Sequence, residues 1–474
     1  MKKTICLILC LIMITAALSV MASAEADEIS IWNGLDVDSE WGSDYDSAST
    51  FYIEDADDFI KFRNMVMDEY SFSGKTITLN TDIDLDNYNL RYGVGGFTTT
   101  TNTSSNSGNW YHSLSMFYGV FDGNGHVIKN ITMNQNEDDA VLDTATYGDC
   151  KMVGLFYARA ATIQNLGIEN VTVTLANSGT ARTDFAGGLC SVNYLSGITN
   201  CFVKNITFSG GSAITNRMRL GVISGYHRAA TMKNCYVNGA DFTGITVGKG
   251  QGALQVGGIA YAEEAGTKVE NCYIANVVKD GPNFEKYNGA ILNNNDKDAT
   301  LTNVYSEEHY AGSSGSTALL DIEDVTLAET LGAGFRDMSA RKQYPLLAWE
   351  ELPPAFECES MKVYKNYGTS NEVELSDGVV SGGELTAVIS GFKNNTGDAL
   401  ENAVVNFSCI SGGKLVNTKS VFVTVGENSA ADGDIEVTLD LTDVEFAEGD
   451  FLQIVTYKGA DEVIPLLKVK RIEK

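Results

Sequence analysis

The chain has 474 residues, of which 62 are acidic and 33 are basic, so its formal net charge at pH 7 is −29. A surface this acidic disfavours nucleic acid, anionic membranes and anionic polymers as partners, unless bound cations intervene. The length exceeds that of an ordinary single domain, so we expect at least two units.

Residues 1–24 have the pattern of a secretory signal peptide. Lys2 and Lys3 precede an apolar run, and the small residues Ala22-Ser23-Ala24 follow it. No second apolar stretch is long enough to span a membrane. We therefore predict that the mature chain is secreted, to the extracellular space or the cell surface, without insertion into a membrane.

The first element after the leader is a predicted amphipathic helix over Glu54–Tyr70. Asp55 is suited to cap it, and the apolar residues expected on one face are Phe59, Phe62, Val66 and Tyr70. Alternating residues then predict strands at Thr76–Leu79 and Ile83–Leu85. A helix that leads into the first strands is expected to cap an otherwise exposed sheet edge.

Three acidic residues, Asp82, Asp84 and Asp86, alternate along the second of these strands. Alternation puts side chains on one face of a strand, where carboxylates could bind a cation such as calcium. The alternative is that they are ordinary outward acids on a solvated sheet. No other cofactor is expected.

One pattern recurs five times between Gly154 and Tyr305. It begins with Gly-apolar-apolar and ends, after a variable stretch, with apolar-x-Asn and then Cys or an aliphatic residue. The glycines are Gly154, Gly188, Gly221, Gly258 and Gly289. With an earlier form included, the asparagines are Asn130, Asn165, Asn200, Asn234, Asn271 and Asn303, and 32 to 37 residues separate each from the next. A period of this length predicts stacked coils.

Each asparagine interrupts a run that alternates between apolar and polar residues, so a strand is expected to bend there. Equivalent residues of stacked coils lie about 4.8 Å apart. The amide side chains could therefore form a hydrogen-bonded ladder. Cys201, Cys235 and Cys272 would stack beside it, in a slot that Leu166 and Val304 occupy in sister coils. A core role and a metal or redox role both remain open for these cysteines.

The residue after that slot is aromatic in four successive coils: Phe202, Tyr236, Tyr273 and Tyr305. Alternation predicts that these side chains point outward. An exposed aromatic row could stack on sugar rings, which makes it the predicted ligand-binding surface. Alternatively, the rings stack on each other or lie under the variable loops.

The sequence changes character at Pro353-Pro354, the predicted boundary between a first domain at 25–354 and a second at 355–474. The second domain has no such period. Its short alternating runs predict an antiparallel β-sandwich. These runs are Leu385–Ile389, Ala403–Phe407, Ser420–Val425, Ile435–Leu441 and Phe451–Tyr457. The cysteine spacing leaves open whether Cys150, Cys190, Cys358 or Cys409 form disulfides.

The stretch from Gly188-Leu189 to Asn200-Cys201-Phe202-Val203 resembles the GLUG repeat of bacterial surface proteins. Phe121-Asp122-Gly123-Asn124-Gly125-His126 is similar to the turn that precedes such repeats. The resemblance implies an all-β chain that begins with a right-handed parallel β-helix of the pectin-lyase-like type. Gly383-x-Leu385-Thr386-Ala387 and Asn394-Asn395 resemble the fibronectin-III-like modules of secreted bacterial proteins. No catalytic residues follow from either resemblance.

The function expected from these features is binding or adhesion outside the cell, to carbohydrate, matrix or a cell-wall polymer. The first alternative is a polysaccharide lyase or glycoside hydrolase, which would need carboxylates beside a basic residue or a pair of carboxylates. Arg217, Arg219 and Arg228 flank Gly221, but no acidic cluster accompanies them. The second alternative is a structural spacer.

Overall fold

The computed structural model describes residues 30–31, 40–90, 93–97, 114–134, 152–175, 183–210, 217–246, 254–263, 266–278, 291–293, 299–307, 317–321, 324–459 and 464–474. The predicted signal peptide, Cys150 and Gly289 lie outside these ranges. The chain divides into two compact units. The first contains residues up to Leu320 together with Thr330–Gly334, and the second contains Asp321–Glu329 and Phe335–Lys474. The predicted domain boundary at residue 354 falls inside the second unit of this division.

The first unit is a parallel β-helix with a helix, α1 (Ala56–Met67), near its N-terminal end. The carboxylate of Asp55 accepts a hydrogen bond from the Asp58 amide at 2.9 Å, as expected of an N-cap. The face predicted to be apolar is buried at Phe59, Phe62 and Val66. Tyr70 does not belong to that face. The helix ends before it, so its ring is 43% exposed.

The strands of the first unit follow one another in chain order. They are β1 (Ser30–Ile31), β2 (Thr50–Ile53), β3 (Thr76–Leu79), β4 (Ile83–Asp84), β5 (Gly96–Phe97), β6 (Leu114–Ser115), β7 (Val120–Asn134), β8 (Met152–Val153), β9 (Phe156–Arg159), β10 (Thr162–Leu175), β11 (Thr183–Gly187), β12 (Cys190–Tyr194), β13 (Gly197–Thr199), β14 (Phe202–Gly210), β15 (Arg217–Gly221), β16 (Ser224–Arg228), β17 (Thr231–Gly244), β18 (Leu254–Gly257), β19 (Ala260–Glu263), β20 (Thr267–Val278), β21 (Ile291–Asn293), β22 (Ala299–Ser306) and β23 (Ala318–Leu319).

These strands form three parallel sheets and one antiparallel pair, β5 with β6. Sheet A contains the long strands β7, β10, β17, β20 and β22, with β13 and β14 as the two halves of one such strand. Sheet B contains β8, β11, β15 and β18. Sheet C contains β9, β12, β16, β19 and β21. One coil therefore runs through sheet B, then sheet C, then sheet A.

One corner of the coil brings backbone segments so close together that it requires glycine. Between sheets B and C the chain passes Gly187, where an added Cβ would lie 1.9 Å from the carbonyl oxygen of Cys190. Strand pairing aligns this residue with Gly154, Gly221 and Gly257. The predicted repeat glycines at 188 and 258 align with each other, because Cys190 pairs with Ser224 and Ser224 with Ala260, whereas Gly221 aligns with the glycines one residue earlier, at 187 and 257. Two adjacent glycines in those coils make the alignment ambiguous from sequence alone.

The interior of the β-helix is apolar along its described length. Each coil contributes residues that are essentially unexposed, such as Leu189, Ile198 and Val203 in one coil. Because successive coils place the same type of residue at the same position, burial of this column of side chains is the main stabilising force of the first unit.

The second unit contains short helical segments and an antiparallel sandwich. Its elements are α2 (Leu327–Leu331), whose last two residues are assigned to the first unit, a 3₁₀ turn (Ser339–Arg341), and β24 (Phe335–Arg336), β25 (Leu346–Leu347), β26 (Phe356–Glu357), β27 (Ser360–Lys365), β28 (Val373–Glu374), β29 (Glu384–Ser390), β30 (Lys393–Asn394), β31 (Leu400–Ser411), β32 (Lys414–Val425), β33 (Ser429–Ala430), β34 (Ile435–Asp440), β35 (Phe451–Tyr457) and β36 (Lys470–Glu473).

The two main sheets of the sandwich have the orders β28-β27-β29-β34 and β32-β31-β35-β36. Leu385, Phe407 and Leu439 are among the buried residues that form its core. Each of the five alternating runs coincides with one strand, namely β29, β31, β32, β34 or β35. The predicted all-β class, with a parallel β-helix, an N-terminal helix and a small sandwich, is confirmed. Among the described residues, no helix is both long and apolar enough to cross a membrane.

Candidate functional site

The predicted aromatic row forms, but it is not exposed. Phe202 is 1% exposed, and Tyr236 and Tyr273 are 0% exposed. Their rings stack on each other, with centroids 5.3 Å apart for the first pair and 4.9 Å for the second. Gly167 precedes them in the column and leaves room for the Phe202 ring, because an added Cβ would lie 2.3 Å from its Cζ.

The expectation of an exposed sugar-binding row is therefore wrong for these three residues, and only Tyr305, which is half-buried, keeps part of its surface. Alternation correctly gives the direction of a side chain, but direction does not decide exposure. Rings in neighbouring coils lie close enough to cover each other's faces. The Lys204 ammonium, 4.2 Å from the Phe202 ring centroid, adds a cation over that column.

The predicted asparagine ladder is present at the first bend of sheet A. The Nδ2 amide of each asparagine donates to Oδ1 of its neighbour in the preceding coil at 3.0 to 3.1 Å. The ladder runs through Asn303, Asn271, Asn234, Asn200 and Asn165, and ends on the carboxylate of Asp122 at 3.0 Å. All five asparagines have positive φ, a conformation that asparagine tolerates better than most residues.

Asn130 was predicted to belong to that ladder and instead starts a second one. Strand pairing aligns it with Asn170, because Lys129 pairs with Glu169. Asn205 donates to Asn170, which donates to Asn130, which donates to the Asp84 carboxylate at 2.7 Å. The second ladder follows the first by five residues in several coils, a spacing that the sequence contains and that could have revealed it.

The cysteines of the ladder region are core residues. Cys201, Cys235 and Cys272 are unexposed and free. Each thiol lies 3.2 to 3.3 Å from the carbonyl oxygen of the residue two positions earlier. Burial raises the pKa of the Cys201 and Cys272 thiols well above the ordinary value, which keeps them protonated and unreactive. Cys190, Cys358 and Cys409 are also free.

Two of the three acidic residues predicted as a weak cation site, Asp82 and Asp84, bind protein groups instead. The Asp82 carboxylate accepts from the Val127 amide and contacts His126, and the Asp84 carboxylate accepts from Asn130. Asp86 lies beyond the end of β4, with positive φ and an exposed side chain. Throughout the part of the chain that the structure describes, no three His, Cys, Asp or Glu residues come together in a way that could hold a metal ion.

A polar pair lies inside the β-helix where sheet C would otherwise be apolar. Asn193 and His227 are both 0% exposed and are paired in register, and Ala158 and Ala262 occupy the same position in flanking coils. The Asn193 Nδ2 atom lies 2.8 Å from His227 Nδ1, so the amide donates to an unprotonated ring nitrogen. Burial lowers the pKa of His227 to about 4. The sequence shows this histidine only as a lone residue.

The outer face of sheets B and C carries what we term the arginine–tyrosine cluster: Arg159, Tyr194, Arg219, Tyr226, Arg228 and Tyr261. Two of its arginines lie on either side of Tyr194 in register, at the ends of β9 and β16. The Cζ atoms of Arg159 and Arg228 lie 5.7 and 5.6 Å from the Tyr194 ring centroid. All three side chains are half-buried, so part of each is accessible to solvent.

Arg159, Tyr194 and Arg228 form the accessible rim of the cluster, and the buried residues of the cluster hold this rim in place. Arg228 Nη1 donates to the Tyr226 hydroxyl at 2.8 Å. Arg219, which is 7% exposed, lies with its Cζ 4.3 Å from the Tyr261 ring centroid. Phe185 completes the packing, with its ring 4.8 Å from that of Tyr226. The two rim arginines are thus positioned by contacts with aromatic rings, which favour guanidinium over ammonium groups.

The cluster can recognise a planar anionic group. Guanidinium groups donate hydrogen bonds in a fork that matches the two oxygens of a carboxylate. The sequence drew attention to Arg219 and Arg228 but did not connect them with Arg159 or Tyr194, because those residues lie one and two coils away. Only the strand register brings them together. The side chain of the third flagged arginine, Arg217, is outside the described part of the structure.

No protein-family model matches the chain, and no curated protein sequence resembles it significantly. Some solved structures do resemble it. One is described as the crystal structure of a "putative immunoglobulin A1 protease" from Bacteroides ovatus, with 16% sequence identity and a TM-score of 0.32 over 64% of this chain and 93% of that one. At this identity and TM-score, the likeness assigns no activity to this chain.

Proposed function

We propose that the protein is a secreted bacterial binding or adhesion protein that recognises carbohydrate through the outer face of its β-helix. The observation that carries the proposal is the rim of the arginine–tyrosine cluster, where Arg159 and Arg228 lie on either side of Tyr194. The expected relationship to GLUG-repeat surface proteins, the fibronectin-III character of the sandwich and the export of the chain belong to this proposal.

The rim favours a sugar with an isolated carboxylate. Both faces of the Tyr194 ring are approached by arginines, so the accessible chemistry consists of guanidinium donors and the tyrosine edge. A carboxylate accepts two such hydrogen bonds, while neighbouring hydroxyls accept or donate others. The net charge of −29 repels a polyanion far more strongly than a glycan that ends in one acidic sugar, because the repulsion grows with the number of charges on the ligand.

Binding to immobilised glycans tests the proposal. We expect purified protein to be retained on glycans that end in sialic or glucuronic acid, and not on their neutral counterparts or on polygalacturonate. Arg159→Ala combined with Arg228→Ala should weaken retention by about tenfold or more, the scale of a lost charge-assisted pair. Lys233→Ala removes an exposed cation from sheet A and should leave retention unchanged.

The other outcomes are informative. Equal retention of the double variant, with an unchanged unfolding midpoint, would place the binding surface elsewhere. Release of unsaturated products or reducing ends from any polysaccharide would favour the lyase or hydrolase alternative. A chain that neither binds nor cleaves would fit the spacer alternative.

A further inference from the structure

The sandwich has an unusually open edge at β32. This strand is the last in the sheet β32-β31-β35-β36, and its strand partner in the described chain is β31. It is 12 residues long, and most of its side chains are exposed. The exposed ones include large apolar residues: Leu415 is 41%, Val416 48% and Phe422 64% exposed.

Such an edge usually carries protection. An end strand presents unpaired backbone N–H and C=O groups, so natural proteins keep it short, interrupt it with proline or cover it. β32 is about twice the usual strand length of 5 to 6 residues, contains no proline and is exposed along most of its length. Its protection consists of two charges, Lys414 and Lys419, with no acidic residue in the strand, and of one bulge at Val416, where the pairing with β31 shifts by one residue.

The space beside this edge suits an added strand. A groove of about 340 Å³ lies between β32 and β34, the end strand of the opposite sheet. Asn417 Nδ2 donates to the Asp440 carbonyl at 2.9 Å and holds the two edges together at one point. The residues that line the groove are Glu384, Asn417, Thr418, Lys419, Thr438, Leu439 and Asp440. A strand paired with β32 would place its inward side chains over this groove.

We propose that β32 is a docking edge at which an extended, acidic segment of a partner protein adds as a fifth strand. Main-chain hydrogen bonds would supply affinity, and alternate side chains would supply specificity. The segment should alternate apolar residues, which cover Val416 and Phe422, with carboxylates that lie at Lys414 and Lys419 and away from Glu384 and Asp440, the acidic residues of the groove. A second copy of this chain fits less well, because two β32 edges paired with each other would bring the lysines of both strands together with no acidic residue in either strand. The proposal does not depend on the carbohydrate function.

Synthetic peptides provide the test. The probe is a set of peptides of about ten residues that alternate valine and threonine and carry glutamate at successive registers, and the control set carries lysine instead. With the full chain, we expect the glutamate peptides to bind in fluorescence anisotropy and to slow hydrogen–deuterium exchange of amides in 414–425. Salt should weaken this binding.

A charge reversal makes the result independent of folding defects. Lys419→Glu should weaken glutamate-peptide binding by about tenfold and strengthen lysine-peptide binding, a reversal that a misfolded variant would not produce. Lys470→Glu makes the same change on β36, at the other edge of the same sheet, and should alter neither. Absence of protection at 414–425 with every peptide overturns the proposal. So does concentration-dependent dimerisation that protects β32 without peptide.

Discussion

The two units solve the same problem, the pairing of β-strand backbones, in different ways. In the β-helix, each strand of a central coil lies between two equivalents, and the corners are held by repeated residues such as Asn200 and Gly187. In the sandwich, strands pair antiparallel over irregular spacings, and β32 is left with one open side. Repetition therefore protects edges in the first unit, whereas the second leaves an edge accessible to a partner.

The largest difference in stability between the two units is expected from a substitution at a corner glycine of the β-helix. We expect Gly154→Ala to prevent correct stacking, because its Cβ would lie 2.2 Å from the Ser191 backbone nitrogen. A cost above about 4 kcal/mol is expected for a clash with backbone that cannot move aside. Peptide-resolved hydrogen exchange should show loss of protection in 152–307 and retained protection in β29, β31 and β35.

Gly197→Ala provides the matched control within the same unit. The nearest atom to its added Cβ is the Thr231 hydroxyl at 3.5 Å, an ordinary contact. This variant should be as stable as the unmodified chain. If both glycine variants behave alike, close approach at the corner does not limit the stack.

The next largest difference is expected at acidic pH, which should lower the stability of the β-helix through His227. Burial lowers the pKa of His227 to about 4 from an ordinary value of 6.5. Above pH 6.5 the ring is neutral in folded and unfolded chains, so it adds no pH dependence. As the pH falls from 6.5 to 4, the unfolded chain gains a proton that the folded chain does not, and the β-helix loses about 3 kcal/mol of stability.

The measurement is the free energy of unfolding of the β-helix between pH 7 and pH 4, compared with that of His227→Gln. Subtracting the two curves removes the carboxylates that titrate in the same range. The free energy of unfolding of the unmodified chain, relative to that of the His227→Gln chain, should decrease as the pH is lowered from 7 to 4. A constant difference would mean that His227 binds a proton as easily in the folded chain as in the unfolded one.

The ladders should give the smallest effect. Asn200→Gly keeps the positive φ but removes two amide hydrogen bonds, to Asn165 and from Asn234, so we expect a loss of about 1 to 2 kcal/mol in the free energy of unfolding. Asn200→Ala should cost about 1 kcal/mol more through backbone strain. Gly239 occupies the second bend of its coil, the position of Asn205 in the preceding coil, and its positive φ shows that glycine is tolerated at that bend.

The second ladder supplies the comparison for this measurement. Asn205→Gly removes one ladder bond, to Asn170, at an exposed position where water can replace it, so its effect should be smaller. Chemical denaturation of the three variants gives the order directly. An Asn205 variant as damaging as the Asn200 variant would contradict a role for burial in the ladder energy.

The sequence by itself determined the class of fold, because each coil of the β-helix needs similar residues at equivalent positions, and these residues therefore recur along the chain at a regular spacing. The asparagine at each bend, the cysteine slot beside it and the alternating strands of the sandwich all depend on local geometry, and they were predicted at the correct residues apart from Asn130. Its error, like the predicted alignment of Gly221 with Gly188 and Gly258, came from a register that the sequence leaves ambiguous. A shift of one or five residues preserves the pattern but changes which residues are neighbours.

Only the tertiary structure decided burial and contact between coils. Tyr236 points out of the strand, as alternation predicts, yet it is buried because the rings above and below cover it. Arg159 and Arg228 are 69 residues apart in the chain and meet around Tyr194 because two successive coils place them there. Sequence periodicity gives the direction of a side chain, whereas its exposure and partners depend on what the neighbouring coils place beside it.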